Sequence, residues 1–230
     1  MADFVAGTSG YQYDHWRGTF YPEGLERKAW FEYYAEQFDS VEINNTFYGL
    51  PDRGTFEEWR DRAPEGFTYV LKYSRYGTHM KKLNDAGEHV GTFMEHAGPL
   101  EGLMGPILVQ LPPNWRANPE RLRAFLEVAP SRHRWAIEFR DPDWLQEPIY
   151  EILRRHNAAL VIHDMIPDHP EVITADWTYG VTTEESAESI PIRRWLPRRA
   201  GSRTASRAAP TSMRSSTTMR MAGRSRTCAN

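Results

Sequence analysis

Glu42 and Glu138 each sit at the end of a short apolar run, in Ser-Val-Glu-Ile-Asn-Asn and Trp-Ala-Ile-Glu-Phe-Arg-Asp. A carboxylate at the end of a buried strand is costly unless it is paired or at work. Brought to one mouth, two such groups can act as acid and base, or ligate a hard divalent cation. The plainer alternative is a buried ion pair with Arg140, Arg75 or Lys72. Lys72 ends the run Thr-Tyr-Val-Leu-Lys. It can orient an anionic substrate, serve as a base if desolvated, or simply pair with a glutamate. His79 can titrate near neutrality, ligate a metal, or cap its loop. Glu42, Glu138, Lys72 and His79 are therefore the candidate catalytic residues.

The candidate ligand-binding residues follow the same apolar runs. Tyr11 and Tyr13 come after the first, and Asn44, Asn45 and Tyr48 after the second. Ser74 and Arg75 follow the third, Gln110 ends the fourth, Arg140 follows the fifth and Asp164 the sixth. Aromatic rings at a site stack on sugars or bases while hydroxyls and amides hydrogen-bond. Arg75, Lys81 and Lys82 make one concentrated basic patch, which suits a phosphate or carboxylate. Trp16 and Phe47 fit ordinary loop packing, and Trp115 and Trp144 fit core. Alternation points Asp164 to the mouth and His163 away. Pro112-Pro113 marks a rigid turn, a candidate for a cis bond. HExxH and CxxC are absent, so a thiolate metal site is not expected, and no motif names a cofactor. Carboxylate, His and Asn ligands leave Mg²⁺ or Mn²⁺ open. No GxSxG elbow occurs, and Ser9 and Ser74 have no visible triad.

Six candidate strands position these residues: 3–7, 40–43, 68–72, 106–110, 135–139 and 160–163. Their near-continuous apolar character fits parallel strands covered on both faces. Amphipathic segments over 25–38, 119–128 and 145–156 read as helices between them. Spacings of roughly 25 to 40 residues leave room for a helical crossover each time. A seventh strand begins near Thr174–Tyr179. The pattern predicts an α/β chain with a TIM-barrel-like (β/α)₈ fold, incomplete at about six to seven β/α units. An open doubly wound sheet is the rival, though GxGxxG and GxxxxGK[ST] are both missing. With 230 residues, 40% hydrophobic and 13% aromatic, the chain can bury one core. A net charge of −3 gives no global basic field for nucleic acid, and no apolar stretch approaches a membrane span. A single cysteine, Cys228, and the absence of a signal peptide suit a cytoplasmic protein.

The averages conceal a break near Tyr179. Residues 1–179 carry 18 Lys+Arg against 28 Asp+Glu; residues 180–230 carry 10 Arg against 3 Glu, with Trp195 the only aromatic. The second stretch reads as a basic, disordered tail, since it offers little apolar surface against its ordering entropy. A basic nucleic-acid arm is one account of it; a frame-shifted reading of the gene's 3′ end is the favoured one. Moved back one base, Ser216-Thr217-Thr218-Met219 can encode Phe-Asn-Asn-Asp, preceded by a strand-like Asp-Val-Tyr-Ala-Phe over 210–215.

The motifs GTSGYQYDHWRGTFYP, VEINNTFYGLP, LKYSRYGTHMKKL, QLPPNW and EFRDPDW occur in one order. In that order residues 3–179 resemble the YecE-like family (domain of unknown function 72), a group of barrel proteins without an established activity. The resemblance implies a TIM-barrel-like fold and a loose analogy to sugar isomerases and to endonucleases of similar fold. It also implies an Arg-x-His-Gly-like strand and a tyrosine-rich strand ending Phe-Asn-Asn-Asp, absent as written and supplied by the shifted frame. The expected function is acid–base chemistry on a small polar or anionic ligand, of sugar or phosphate type, at the C-terminal barrel face. The alternatives are a ligand- or nucleic-acid-binding module without chemistry, and an inactive product whose barrel cannot close, leaving open edges on the first and sixth strands. Resequencing the genomic DNA across codons 177–181 should show a missing or inserted base; an intact frame there removes the frame-shift account.

Overall fold

A computed structural model describes residues 3–182 and the backbone of residues 218–223. Seven strands follow one another around a curled sheet: β1 (Asp3–Ser9), β2 (Ser40–Ile43), β3 (Thr68–Lys72), β4 (Met104–Gln110), β5 (Trp135–Glu138), β6 (Ala159–His163) and β7 (Trp177–Thr182). Each pairs in parallel with the next. An eighth strand, β8 (Thr218–Gly223), lies antiparallel to both β7 and β1 and closes the ring. The fold is TIM-barrel-like, but its last stave is not a parallel β/α unit. The open edges expected on the first and sixth strands are covered: β6 pairs with β7, and β1 with β8. Of the basic tail, Gly180–Thr182 belong to β7 and 218–223 to β8. Its remaining residues, and with them most of the disorder and frame-shift reading, lie outside the described residues.

Helices pack outside the sheet: α1 (Trp30–Ala35), α2 (Asn45–Tyr48), α3 (Arg53–Arg62), α4 (Ala86–Ala97), α5 (Pro119–Val128) and α6 (Glu147–Arg155). Local chemistry sets their ends. Asp52 accepts the Thr55 amide at 2.9 Å before α3, and Asn118 accepts the Arg121 amide at 3.0 Å before α5, which starts with Pro119. Helix α6 buries Ile149, Tyr150, Ile152 and Leu153, the three-and-four spacing of one helical face. The β6–β7 connection, residues 164–176, contains no helix. It is fastened instead by the Thr174 hydroxyl, which accepts from the Leu160 amide and donates to the Ala158 carbonyl, both at 2.8 Å. Every described peptide bond is trans, including those at Pro112 and Pro113. No described helix is long and apolar enough to cross a membrane.

The two-residue period of the strands sorts the core into two layers. Val41, Ile43, Tyr69, Leu71, Ile107, Val109 and Ile137 pack outward in the large cluster that includes Trp30, Phe56, Phe93 and Phe125. Val70, Leu108, Ala136, Ala159, Val161, Trp177 and Tyr179 form a second, interior cluster. Ala136 and Ala159 leave the room that the Trp177 and Tyr179 rings take up. Carried two residues further along each strand, the interior positions become Lys72, Gln110, Glu138 and His163, while Ser40 leads to Glu42. The inner face is thus apolar in the middle of the barrel and polar at its C-terminal end.

Gly7 shows how tightly the staves meet. A Cβ there would lie 2.1 Å from the Ser40 carbonyl oxygen, backbone that cannot turn aside. Gly7→Ala should therefore destabilise the chain by at least about 2 kcal/mol, read as a lowered denaturation midpoint; a stability equal to the parent's would contradict the β1–β2 packing.

Candidate functional site

The polar end of the inner face draws on β1, β2, β4, β5 and β7. Ser9 stands opposite Glu42 in the β1–β2 register, and Gln110 opposite Glu138 in the β4–β5 register. Glu42 is 3% exposed and Glu138 1%. Glu42 is held by neutral donors: the Ser9 hydroxyl gives to Oε1 at 2.5 Å, and the Tyr179 phenol gives to Oε2 at 2.9 Å. Asn44 donates to Ser9 Oγ at 2.9 Å, and the Tyr13 hydroxyl donates to the Ser9 carbonyl. Glu138 is held by a cation. Arg140 Nε donates to its Oε1, and Arg140 Nη2 reaches Gln110 Oε1 at 3.4 Å.

Above this buried layer lies a more open one. Lys72 Nζ stands 5.0 Å over the Phe47 ring, and the His79 ring meets the same phenyl edge-on at 5.2 Å. His79 Nδ1 is engaged by the Thr78 hydroxyl at 2.9 Å. The loop from β3 to α4 passes through a π-type turn at Tyr76–Met80 and then left-handed backbone at Lys82, Leu83 and Asp85 (φ 47°, 64° and 51°).

Burial and charge act on these groups in opposite senses. Burial pushes the Glu138 carboxyl up; Arg140 and then Lys72 pull it down, the Glu42 charge adds to the rise, and the net direction is upward. The Tyr179 phenol is raised far above its ordinary value by burial and then by Glu42, so it stays a protonated donor. The His79 imidazole is lowered, first by desolvation and then by Arg75, Lys72 and Arg140. The site therefore holds two carboxyl groups in unlike settings, one among neutral hydroxyls and one against a guanidinium. Such unequal settings let two carboxyls take separate proton-transfer roles. Among the described residues, no group of three or more His, Cys, Asp or Glu could hold a metal ion.

Glu42, Glu138, Lys72, Gln110, Arg140, Asn44, Tyr13 and His79 come together as the strand ends predict. Others lie apart. Tyr11 packs on Phe31 and Tyr34, at 5.5 and 5.7 Å, in the outer aromatic cluster. Asn45 and Tyr48 are exposed on α2, and the Ser74 hydroxyl accepts the Tyr76 amide at 3.1 Å. Arg75 is exposed, though its charge reaches His79. Asp164 is half-buried just beyond β6. Its neighbour His163 does not turn away. It continues the inner face of Ala159 and Val161, is buried, and bonds the Phe139 carbonyl through Nε2 at 2.8 Å. Ser9 and Tyr179 were not among the candidates. Ser9 is legible only from its position across from Glu42, and Tyr179 only from the odd-numbered inward face of β7.

Parallel staves wrapped by helices, with ionisable groups gathered at their C-terminal ends, define a TIM-barrel-like α/β protein. Residues 5–226 match the family described as "Protein of unknown function DUF72", and the chain belongs to that family. It is 25% identical over 166 residues to the UPF0759 protein YunF of Bacillus subtilis (strain 168), a match covering 67% of this chain and 57% of that protein. The chain thus spans somewhat more than half the length of that relative. A crystal structure of a DUF72 family protein from Thermotoga maritima MSB8 superposes with a TM-score of 0.65 at 29% identity, covering 74% of this chain and 70% of that one. One from Enterococcus faecalis V583 gives 0.51 at 23% identity, covering 63% and 59%, and supports the fold alone.

The buried imidazole makes stability pH-dependent. His163 Nδ1 accepts the Met165 amide at 3.2 Å while Nε2–H donates to Phe139, which fixes the neutral ring. Desolvation lowers its pKa to about 4 from 6.5. A depressed folded-state value means that the stabilisation is complete above pH 6.5 and is lost as pH falls towards 4. It amounts to on the order of 3 kcal/mol. Denaturant titrations of the parent and His163→Gln across this window should show a shallower loss in the variant; parallel curves would refute the assignment.

Proposed function

We propose that the barrel mouth binds a small polar ligand, of sugar or phosphate type, and carries out acid–base chemistry on it. The observation that carries this reading is the pair of buried carboxyls in unlike settings, roofed by Lys72, His79, Gln110 and Arg140. In this scheme Glu138, whose proton affinity is raised, gives a proton to the bound ligand, and Glu42 takes one. Arg140 must move off Glu138 for that step, and its half-exposed side chain, with Gln110 as second partner, leaves it a place to go. Tyr179 and Ser9 position Glu42 through its two oxygens. Lys72 and His79 contact the ligand from the open layer. Acid–base assistance of this kind contributes about a hundred- to ten-thousandfold in rate.

A nucleic-acid-binding module draws less support. Of the three loop cations it relies on, Lys81 pairs with Asp85 at 3.2 Å and Lys82 lies 5.9 Å over Trp115.

The test is a panel of free and phosphorylated sugars incubated in D₂O with the full chain and followed by proton NMR, which reports exchange, isomerisation and bond cleavage together. Turnover of a panel member should fall at least about a hundredfold in Glu138→Gln, with a nearly unchanged melting temperature. Intact turnover with a large loss of stability would make Glu138 a structural ion-pair member and end the acid–base reading.

A further inference from the structure

The cations around the mouth differ in pairing and in burial. Lys81 is tied to Asp85, and Lys82 rests exposed on Trp115. Lys72, Arg75 and Lys82 form no salt bridge among the described residues, and of these three only Lys72 is half-buried. The Lys72 ammonium stands over the Phe47 π-face at 5.0 Å. A partly desolvated ammonium over a ring keeps its donors for a ligand anion, while its charge also reaches Glu138. The same Phe47 ring holds His79; the Thr78 hydroxyl donates to the Ser74 carbonyl at 3.0 Å, so His79 Nδ1–H donates to Thr78 and Nε2 of the neutral ring is left as an acceptor for a ligand hydroxyl. Arg75 lies three residues from Lys72, and its charge is the strongest acting on His79, followed by those of Lys72 and Arg140. Among the described residues, the carboxylate bound directly to one of these cations is Glu138, on Arg140.

We propose that Lys72 centres an anion subsite above Phe47, with His79 Nε2 accepting a ligand hydroxyl beside it, and that the ligand is a polyhydroxylated compound with a terminal phosphate or carboxylate. The polyhydroxylated part rests on the acid–base reading of the mouth; the anion subsite does not. The geometry fixes the ligand's direction. Its anionic end sits on the β3 side, over Phe47, and its hydroxyl- or carbonyl-bearing end points across the barrel to Glu42 and Glu138. Asn44 and Gln110 supply amide groups on either side of that path. Lys81 and Lys82, prominent in the sequence, are outside the subsite.

Calorimetric titration of the full chain with inorganic phosphate, acetate and glucose tests this. Phosphate or acetate should bind and glucose alone should bind far less; tighter phosphate indicates a phosphate-bearing ligand, tighter acetate a carboxylate-bearing one. Lys72→Met should weaken the preferred anion at least about tenfold, the loss of one charge-assisted contact, and Lys72→Arg should restore most of it. The double variant Lys81→Met/Lys82→Met should stay within about twofold of the parent, because exposed pairs contribute little. Anion binding is read here without turnover, so its failure is distinguishable from failure of the acid–base step. Binding of neither anion, equal binding by Lys72→Met and the parent, or a comparable loss in the Lys81/Lys82 variant would each overturn the proposal.

Discussion

Two carboxyl groups buried inside a strand barrel have to be answered by donors, and much of the mouth is arranged by that requirement. Water cannot reach Glu42 or Glu138 freely, at 3% and 1% exposure. Each unmet oxygen would carry a desolvation penalty comparable to a lost hydrogen bond or more. The chain meets the need in two ways. Glu42 receives hydroxyls from β1 and from β7, which ties the second stave to the first and to the seventh. Glu138 receives the guanidinium of Arg140, two residues past the end of its strand, which also reaches β4 through Gln110. The same contacts that satisfy the carboxyls therefore hold the strand ends in a ring.

The interior layering explains why these groups lie at one end. An inward position two residues earlier on β3, β4 or β5 holds Val70, Leu108 or Ala136, and the space between them is filled by Val161, Trp177 and Tyr179. The Tyr179 ring belongs to the apolar layer while its hydroxyl belongs to the polar one, so this single residue joins the two. Tyrosine suits such a boundary because its body is apolar and its tip is not. His163 does the same on β6, with its ring buried and both nitrogens satisfied by backbone.

Much of this was legible in the residues, for physical reasons that also mark where legibility stops. Strands β2 and β3 have the bounds expected because burial on both faces demands a continuous apolar run, and a polar residue ending that run marks the mouth. Helix α5 starts where Pro119 follows a capping Asn118. Tyr179 escaped notice because its partner Glu42 is 137 positions away, a distance no local pattern spans. His163 faces inward, against the expectation that Asp164 points to the mouth and His163 away, because Ala159 and Val161 set the inward parity of β6. Tyr11 follows the first strand like Tyr13 but packs two helical-layer rings away from the carboxyls, since loop residues obey no fixed period. Strand β8 had no signal at all. Thr-Met-Arg-Met-Ala-Gly alternates polar and apolar over only its first four positions, too short a pattern to stand out in a basic stretch, and its place follows from the two open backbone edges it joins.

The balance between a structural and a functional account of the mouth can be argued from energetics. A buried ion pair seldom stabilises a fold more than well-packed apolar side chains of the same volume. One layer down, this barrel fills the equivalent positions with Val70, Leu108, Ala136 and Val161. Stability alone would favour continuing that choice to the strand ends. Instead Lys72, Gln110, Glu138 and Arg140 accompany Glu42 there, and the ammonium of Lys72 has an aromatic face rather than a carboxylate for company. An interior that is polar at one end only gives up stability there, a cost for which the proposed ligand site would account.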